Sequence, residues 1–223
     1  MRSIPRATPL WIGLTVTLLL SACGGRSPTS AAPTNPAVTS PPAPGTTSPS
    51  AGSSESPLPT ESPIPVESNP PGDIPDNAAF VPFTSKTGGF TISTPEGWAR
   101  TTSGRSVTFT DKLNTVVVSW ASASSAPTAA SVKKAEVPQL ASTERAFKLV
   151  SITTASLPAG PAVLVEYQAN SEPNAVTGKQ YRLDVQRYVL FRNGREIAIG
   201  LRSPVGSDNV DPWRIVSESF IWA

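Results

Sequence analysis

The sequence predicts an α+β domain in residues 80–223, built as a sandwich in which helices cover a mostly antiparallel sheet. Apolar residues recur at every second position in several short segments, which is typical of strands with one buried face. Two segments with helical chemistry interrupt and close this series of strands. The 144 residues of this region are enough for one compact domain.

The first strands of the domain are marked by alternation. Residues 90–94 alternate at period two and stop at Pro95, where a turn begins. Two further strands follow, and their apolar positions are Val107 and Phe109, then Val116, Val118 and Trp120. The interval 111–114 between them is short enough for a hairpin. We therefore expect an antiparallel meander in the first half of the domain.

The middle of the domain predicts a short helix and two more strands. Helical spacing over residues 128–137 is interrupted by Pro138, which removes a backbone donor. One side of this helix carries Ala129, Val132 and either Ala135 or Glu136. The strands that follow are marked by Val150 and Ile152 and by Val163, Val165 and Tyr167, with a turn at 157–161 between them.

The last third predicts a hairpin and a closing helix. Segments 180–191 and 196–201 flank Asn193-Gly194, a dipeptide that strongly favours a hairpin turn. The first segment is expected at the centre of the sheet, because its apolar residues become continuous. In the second, the small face of Ala198 and Gly200 would allow the closing helix to approach closely. The expected features of that helix are Asp211 as N-cap, Pro212 at its first position, and a stripe of Trp213, Val216 and Phe220.

The N-terminus carries an export signal that ends in the only cysteine of the chain. Arg2 and Arg6 give a positive end, an apolar stretch of about eleven residues follows, and Leu20-Ser21-Ala22-Cys23 resembles the lipobox of bacterial lipoproteins. The stretch is shorter than the roughly 20 apolar residues that span a bilayer. The resemblance implies cleavage after residue 22 and a diacylglyceryl group on Cys23. We therefore expect a lipid-anchored protein on the extracytoplasmic side of the cell membrane.

Residues 23–79 predict a disordered tether behind the lipidated cysteine. Positions 24–79 contain 14 prolines and no aromatic residue, so they cannot form a core. Such a segment would hold the domain very roughly 40 to 170 Å from the membrane, between the limits of a coil and a polyproline rod. A ligand for a polyproline-binding partner is the alternative interpretation, although any proline-rich spacer fits it loosely.

The domain carries three further motifs, which are Phe90-x-Ile92-x-x-Pro95-x-Gly97-Trp98, Gly178-Lys179-Gln180-Tyr181, and Val210-Asp211-x-Trp213 with Ser219-Phe220. Together they resemble exported proteins of the PsbP/Mog1 type, including LpqN-like lipoproteins of actinobacteria. The resemblance covers about 140 residues. It implies an α/β/α sandwich with a non-catalytic binding or assembly role, and it carries no catalytic residue.

Several kinds of site chemistry are disfavoured. The sequence has no histidine, the commonest general base and metal ligand. The remaining candidates for catalytic or metal-binding groups are explained more simply without such a function, as side chains at exposed or solvated positions or as helix caps. These candidates are Ser85 with Lys86, Ser131 with Lys133, Glu166 with Asp184, and Asp208 with Asn209 and Asp211. We therefore expect no catalytic residue, no metal and no cofactor.

Basic and aromatic residues are further candidates for a binding surface. Five arginines along the last hairpin could bind anionic head groups or wall polymers, although edge protection and solubility also explain them. They are Arg182, Arg187, Arg192, Arg195 and Arg202. The tryptophans at inward positions are expected in the core, namely Trp98, Trp120, Trp213 and Trp222.

These observations predict a membrane-anchored interaction or assembly module that binds an envelope protein. The alternative is a carrier of a lipid or other small apolar ligand, held in a pocket under the helices. Residues 80–223 carry 15 Lys and Arg against 11 Asp and Glu, a surplus too dilute to indicate nucleic-acid binding.

Overall fold

The computed structural model of the protein describes residues 61–66 and 71–223. Within this part of the chain lie ten strands and two helices. The strands are β1 (Phe80–Ser85), β2 (Phe90–Pro95), β3 (Ala99–Ser103), β4 (Ser106–Asp111), β5 (Asn114–Ser122), β6 (Lys148–Leu157), β7 (Gly160–Asn170), β8 (Arg182–Arg192), β9 (Arg195–Pro204) and β10 (Ile221–Trp222). The helices are α1 (Ala129–Thr143) and α2 (Val210–Glu218).

The described strands form a large and a small antiparallel sheet. The large sheet has the order β3-β4-β5-β9-β8-β7-β6, and the small sheet has the order β1-β2-β10. Every neighbouring pair in these sheets is antiparallel. The expected α+β class with a mostly antiparallel sheet is therefore confirmed, and β8 and β9 lie at its centre.

An aromatic core fills one face of the large sheet, beneath α2 and the small sheet. Alternation along β5 and β9 directs every second side chain to this face. Phe90 stacks on Phe220 with ring centroids 5.7 Å apart, and Trp120 meets Phe90 edge to face at 5.8 Å. The buried members of this aromatic core include Phe90, Ile92, Phe109, Val116, Val118, Ile197, Ile199, Leu201, Trp213, Val216 and Phe220.

A second, aliphatic core lies on the opposite face, beneath α1. Strands β7 and β8 supply its sheet side, and Val132 is the buried residue of the helix. Leu140 and Phe147 pack at its border. The buried set is Val132, Val163, Val165, Tyr167, Ala169, Leu183, Val185 and Val189. The two cores therefore cover different halves of the large sheet, on opposite faces.

Most elements follow the sequence patterns, with two shifts in the helices. Helix α1 runs through Pro138 to Thr143, because Leu140 packs against the aliphatic core beyond the proline. Tertiary packing there outweighs the loss of one helical hydrogen bond. Helix α2 begins at Val210 after Asn209, so the expected N-cap at Asp211 is wrong. Asn193 and Gly194 have positive φ values of 50° and 76°, as the predicted hairpin turn requires.

The placement of β2 and of the closing helix differs from expectation. Strand β2 leaves the predicted meander and pairs with β1 and β10, whose short or irregular patterns gave no strand signal. Helix α2 packs on the face of Ile197 and Ile199, so the small face of Ala198 and Gly200 is not its contact. None of the helices in the described residues combines the length and the apolar character that a bilayer crossing requires.

Residues before the compositional boundary at Phe80 already contact the domain. Ile74 is 5% exposed and joins the aromatic core. Its backbone N–H donates to Asn209 Oδ1 over 2.8 Å, and the Gly72 carbonyl accepts from the Asn114 and Asn209 side-chain amides. The composition-based tether of residues 23–79 therefore includes positions that belong to the packed structure.

Candidate functional site

A row of ionised side chains runs along the edge of α1 where it meets the large sheet. Arg187 Nε donates to Glu136 Oε2 over 2.9 Å. Directly after α1, at its C-cap, Glu144 accepts from Arg202 Nη1 over 3.0 Å and also from Arg202 Nη2. The Tyr167 hydroxyl donates to Glu144 Oε1 over 3.0 Å. These five residues, Glu136, Glu144, Tyr167, Arg187 and Arg202, form what we call the charged seam.

The strand register explains why arginines fit at this seam. Arg187 lies directly across the β8–β9 ladder from Gly200, and Gly200 lies across from Val117 of β5. A Cβ added at Gly200 would meet Val117 atoms at 3.9 to 4.0 Å, which is ordinary van der Waals contact, and Gly200 itself is buried. The small face of Ala198 and Gly200 thus lies on the same face of the sheet as Arg187 and Arg202.

Burial perturbs the titration of groups at the seam. Burial raises the pKa of the Tyr167 hydroxyl above its usual value, and the negative charge of Glu144 raises it further against the opposing effect of Arg202. Glu196, beside the seam on β9, also has a raised pKa, first because of burial and then because of the nearby Glu136 carboxylate. The seam therefore keeps Tyr167 protonated as a hydrogen-bond donor.

The seam opens into a cleft of about 420 Å³ beyond the C-terminal end of α1. Its walls come from the β4–β5 turn, the end of α1 and the loop before β8. The charged lining residues are Lys112, Arg145, Lys179 and Arg202 against Glu144 and Glu172. Apolar side chains lie between them, including Leu113, Val117, Tyr181 and Leu183. The cleft thus offers a mixed surface with more positive than negative groups.

Glu61 binds at the rim of this cleft. Its Oε2 accepts from Arg145 Nη1 over 3.1 Å, and its Oε1 accepts from the side-chain amides of Asn170 and Gln180, each over 3.0 Å. Burial raises the pKa of the Glu61 carboxyl, but the hydrogen bonds from Asn170, Gln180 and Arg145 outweigh it, so the net pKa is lowered. We call Arg145, Asn170 and Gln180 the Glu61 site.

Arg182 fixes the orientation of the Asn170 amide in this site. Arg182 is 4% exposed, and its Nη1 donates to Asn170 Oδ1 over 3.0 Å and to the Ala146 carbonyl over 2.8 Å. A guanidinium can only donate hydrogen bonds, so the amide oxygen of Asn170 faces it. The Asn170 amide nitrogen is thereby directed at Glu61 Oε1 and the Ser62 carbonyl.

The structure separates the five hairpin arginines instead of gathering them into one basic surface. Arg182, Arg187 and Arg202 are held by the internal partners described above, and Arg195 Nη1 donates to the Gly88 carbonyl over 2.6 Å. Arg192 is exposed at the hairpin turn. Protection of a sheet edge does not explain these arginines either, because β8 and β9 are central strands of the large sheet.

The other candidate groups have structural partners. Ser85 Oγ accepts from the Gly88 N–H, and Ser131 forms a capping box with Thr128. Glu166 accepts from Ser151 over 2.7 Å, and Asp184 accepts from Gln168 over 2.9 Å. In the oxygen-rich segment, Asp208 N–H donates to Asp73, Asn209 binds Ile74 and Gly72, and Asp211 pairs with Arg214.

Within the described residues, no three His, Cys, Asp or Glu side chains group closely enough to hold a metal ion.

The predicted lipid attachment residue Cys23 lies outside the described residues, and its lipidation stays a prediction. The four tryptophans that the sequence places in the core contact the aromatic core as expected. Trp213 is buried in this core, and the other three are half-buried and pack against the core. Sequence reasoning missed Glu61 and Glu144, whose partners are far away in the chain.

Comparisons with known proteins find the fold but no family. No protein-family model matches the chain, and none of the curated proteins matches it significantly. Solved structures similar to it include PsbP of the cyanobacterium Synechocystis, with 16% identity, 70% of this chain and 100% of that chain covered, and a TM-score of 0.47. The Saccharomyces cerevisiae Ran-binding protein Mog1p has 6% identity, coverages of 65% and 95%, and a TM-score of 0.44.

A third similar structure is LpqN of Mycobacterium tuberculosis, a protein involved in cell envelope biogenesis, with 14% identity, coverages of 66% and 91%, and a TM-score of 0.38. A structure from Bacteroides thetaiotaomicron is also similar, with 12% identity and a TM-score of 0.42. This chain covers only 48% of the length of that protein. At such identities and TM-scores these likenesses concern the fold alone and lend no weight to any function. Structures of the PsbP/Mog1 type, which the sequence motifs resemble, are thus among those similar to this chain.

Proposed function

We propose that this protein is an exported lipoprotein, anchored through an acylated Cys23, whose domain is a non-catalytic binding module for another protein of the cell envelope. The lipobox-like motif and the preceding apolar stretch support the anchor. The observation that carries the binding role is the open cleft, with its mixed charged and apolar lining, beside the charged seam. Protein-binding surfaces combine directional charge contacts with apolar anchors in this way.

The seam supports a binding role because its ionised groups are held in place before any partner arrives. Glu144 is fixed by Arg202 and Tyr167, and Arg202 also lines the cleft. Preorganised charges lose little conformational entropy on association. The partner that best fits carries acidic groups and an apolar anchor for the surface of Leu113, Val117 and Tyr181.

The carrier alternative has weaker support. The aromatic core, where an apolar ligand would have to reside, is occupied by rings in direct contact, such as Phe83 with Phe109 at 5.2 Å and Phe220 with Trp222 at 5.3 Å. The described cleft is open to solvent and lined by charged groups, whereas pockets for lipids are mostly apolar.

The anchor is tested by Cys23→Ala in the host cell. The variant should remain unprocessed or be released from the membrane, because no thiol is available for acylation. Localisation by membrane fractionation and intact mass should show this loss, while Cys23 in the unchanged protein carries the lipid mass. A Cys23→Ala protein that is processed and still retained at the membrane would contradict the anchoring proposal.

The binding module and the carrier are distinguished by native mass spectrometry of the exported chain purified gently from its own host. We expect the mass of the lipidated chain with no further molecule bound. A reproducible adduct of one small apolar molecule would overturn the binding-module proposal in favour of the carrier.

A further inference from the structure

The segment that holds Glu61 is one of two near-identical copies in the chain. Residues Glu61-Ser62-Pro63-Ile64-Pro65 repeat Glu55-Ser56-Pro57-Leu58-Pro59, six positions earlier, with isoleucine in place of leucine. The later copy lies on the domain, and the earlier copy lies outside the described residues. Two copies of a sequence that binds one site raise the question of whether both bind it.

Two positions of the bound copy face the domain. Glu61 and Ile64 are half-buried, whereas Ser62, Pro63 and Pro65 are exposed. Besides the Glu61 carboxylate contacts, the Ile64 N–H donates to Asn170 Oδ1 over 3.3 Å and the Ser62 carbonyl accepts from Asn170 Nδ2 over 3.0 Å. The bound features are therefore a glutamate, an extended backbone and an aliphatic residue three positions later.

The earlier copy supplies the same features at the same spacing. Glu55 corresponds to Glu61, and Leu58 corresponds to Ile64. Prolines stand at equivalent places in both copies and fix their own φ, which lowers the entropy that either copy loses on binding. By contrast, Glu67 is followed by Ser68, Asn69 and Pro70, so it lacks the first proline and the aliphatic residue of the two copies.

The Glu61 site does not depend on its ligand for its shape. The Arg145 side chain is 6% exposed and its Nε also donates to Glu172 over 3.1 Å. Asn170 is 3% exposed, its N–H donates to the Arg145 carbonyl over 2.8 Å, and Arg182 holds its side chain. The Arg145 side chain and the Asn170 amide would thus keep their positions if Glu61 left.

We propose that Arg145, Asn170 and Gln180 form a recognition site for Glu-Ser-Pro-aliphatic-Pro segments, and that residues 55–59 are a second ligand that exchanges with residues 61–65. The exchange is independent of whether Cys23 is lipidated. The exchange lets the tether attach to the Glu61 site through either of two segments, residues 55–59 or residues 61–65. Moving between them transfers six residues, roughly 19 Å of extended chain at about 3.1 Å per residue, from one side of the site to the other.

The exchange is tested by NMR on the exported chain, residues 23–223 with Cys23→Ser so that it is purified without lipid. The side-chain signals of Arg145 Nε–H and Gln180 Nε2 are compared in the unchanged chain, Glu55→Gln, Glu61→Gln and the double variant. Glu55→Gln should remove the second bound state and leave only the signals of the state in which Glu61 is bound. Glu61→Gln should give a second bound state, and the double variant should give the free state. Glu96→Gln, at an exposed position in the turn after β2, is the control and should change nothing.

Two results would overturn the proposal. One is that Glu61→Gln already gives the signals of the double variant, which would show that Glu55 does not bind. The other comes from adding the peptide SESPLPT to the double variant: we expect it to shift the Arg145 and Gln180 signals with an affinity at least about fivefold higher than that of SQSPLPT, equal to roughly 1 kcal/mol. Equal affinities would show that the site does not recognise the carboxylate.

Discussion

The aromatic core and the charged seam lie on opposite faces of the same large sheet and are built from different chemistry. Beneath α2, rings such as Phe90 and Phe220 are fully buried and stack on each other. Beside α1, the sheet presents Arg187 and Arg202 to carboxylates of the helix. Alternation along β9 sends Ile197, Ile199 and Leu201 to the face of the aromatic core and Arg202 to the face of α1. On β8, Arg187 lies on the α1 face beside the aliphatic core.

The difference separates stability from recognition. Apolar burial is non-directional and stabilises the fold in proportion to the area removed from water. Partly buried ion pairs add little net stability over apolar side chains of similar size, because both charges lose hydration. Their geometry is directional, however, and the seam borders the open cleft. This contrast supports assigning stability to the aromatic core and binding to the cleft.

The largest expected effect comes from breaking the aromatic core at Phe220. Phe220→Ala removes a ring that is 0% exposed and contacts Phe90 and Trp222. The free energy of unfolding should fall by roughly 3–5 kcal/mol, from lost transfer energy and the cavity left behind. Urea denaturation measures the change. Val150→Ala, at a site 58% exposed, is the control and should stay within about 0.5 kcal/mol.

A smaller effect is expected from breaking the seam at Glu144. Glu144→Gln leaves Arg202 without its carboxylate and should lower the free energy of unfolding by about 1–3 kcal/mol. Removing this negative charge should also lower the pKa of Tyr167, although burial keeps that pKa above its usual value. Absorbance titration of tyrosinate follows the second effect.

The double variant Glu144→Gln with Arg202→Met sharpens the comparison. Since it removes both charges, it should recover most of the stability that the single variant loses. If Glu144→Gln changes neither unfolding nor the tyrosine titration, the seam is not the coupled structure described here.

The two regions also differ in how far the sequence predicts them. Period-two alternation at Val116, Val118 and Trp120 predicts the aromatic core, because each strand carries its own signal. The seam was missed since its partners are joined only by the fold: Arg187 and Glu136 lie 51 positions apart, and Arg202 and Glu144 lie 58 apart. A charged residue at a polar strand position has the same local pattern whether solvent or a carboxylate faces it.

The Glu61 site was missed for a related reason. Composition correctly marks the region around Glu61 as unable to build a core, but it does not reveal that a segment can be held by hydrogen bonds from Asn170 and Gln180, more than 100 positions away. The path of α1 past Pro138 was likewise decided by packing of Leu140.

Acid should release the Glu61 segment while the aromatic core stays folded. Binding lowers the pKa of Glu61, so the contribution of this contact is fully present above the unbound value of 4.5 and is lost as pH falls through the lowered pKa. Carbon-13 NMR of the carboxyl group, together with the Gln180 amide signals, should show both changes in the same pH range. A Gln180 signal that does not follow Glu61 would contradict the contact.

The smallest effect is expected at the other end of the seam. Glu136→Gln removes the like charge beside Glu196, so the raised pKa of Glu196 should fall but stay above its usual value, because burial is the larger cause. The free energy of unfolding should change by about 1 kcal/mol or less, since the Glu136–Arg187 pair is partly exposed. NMR titration of Glu196 measures the shift, and an upward shift would contradict the assignment.

The assignment of binding to the cleft is tested most directly by photo-crosslinking in living cells of the host. A benzoylphenylalanine replaces Leu113 at the cleft in the full lipoprotein, and Thr153, exposed on β6 with its side chain toward the opposite face, is the matched control. We predict a discrete crosslinked envelope protein from position 113, lost in Glu144→Gln with Arg202→Met, and none from position 153. Equal crosslinking from both positions, or none from position 113, would contradict the account.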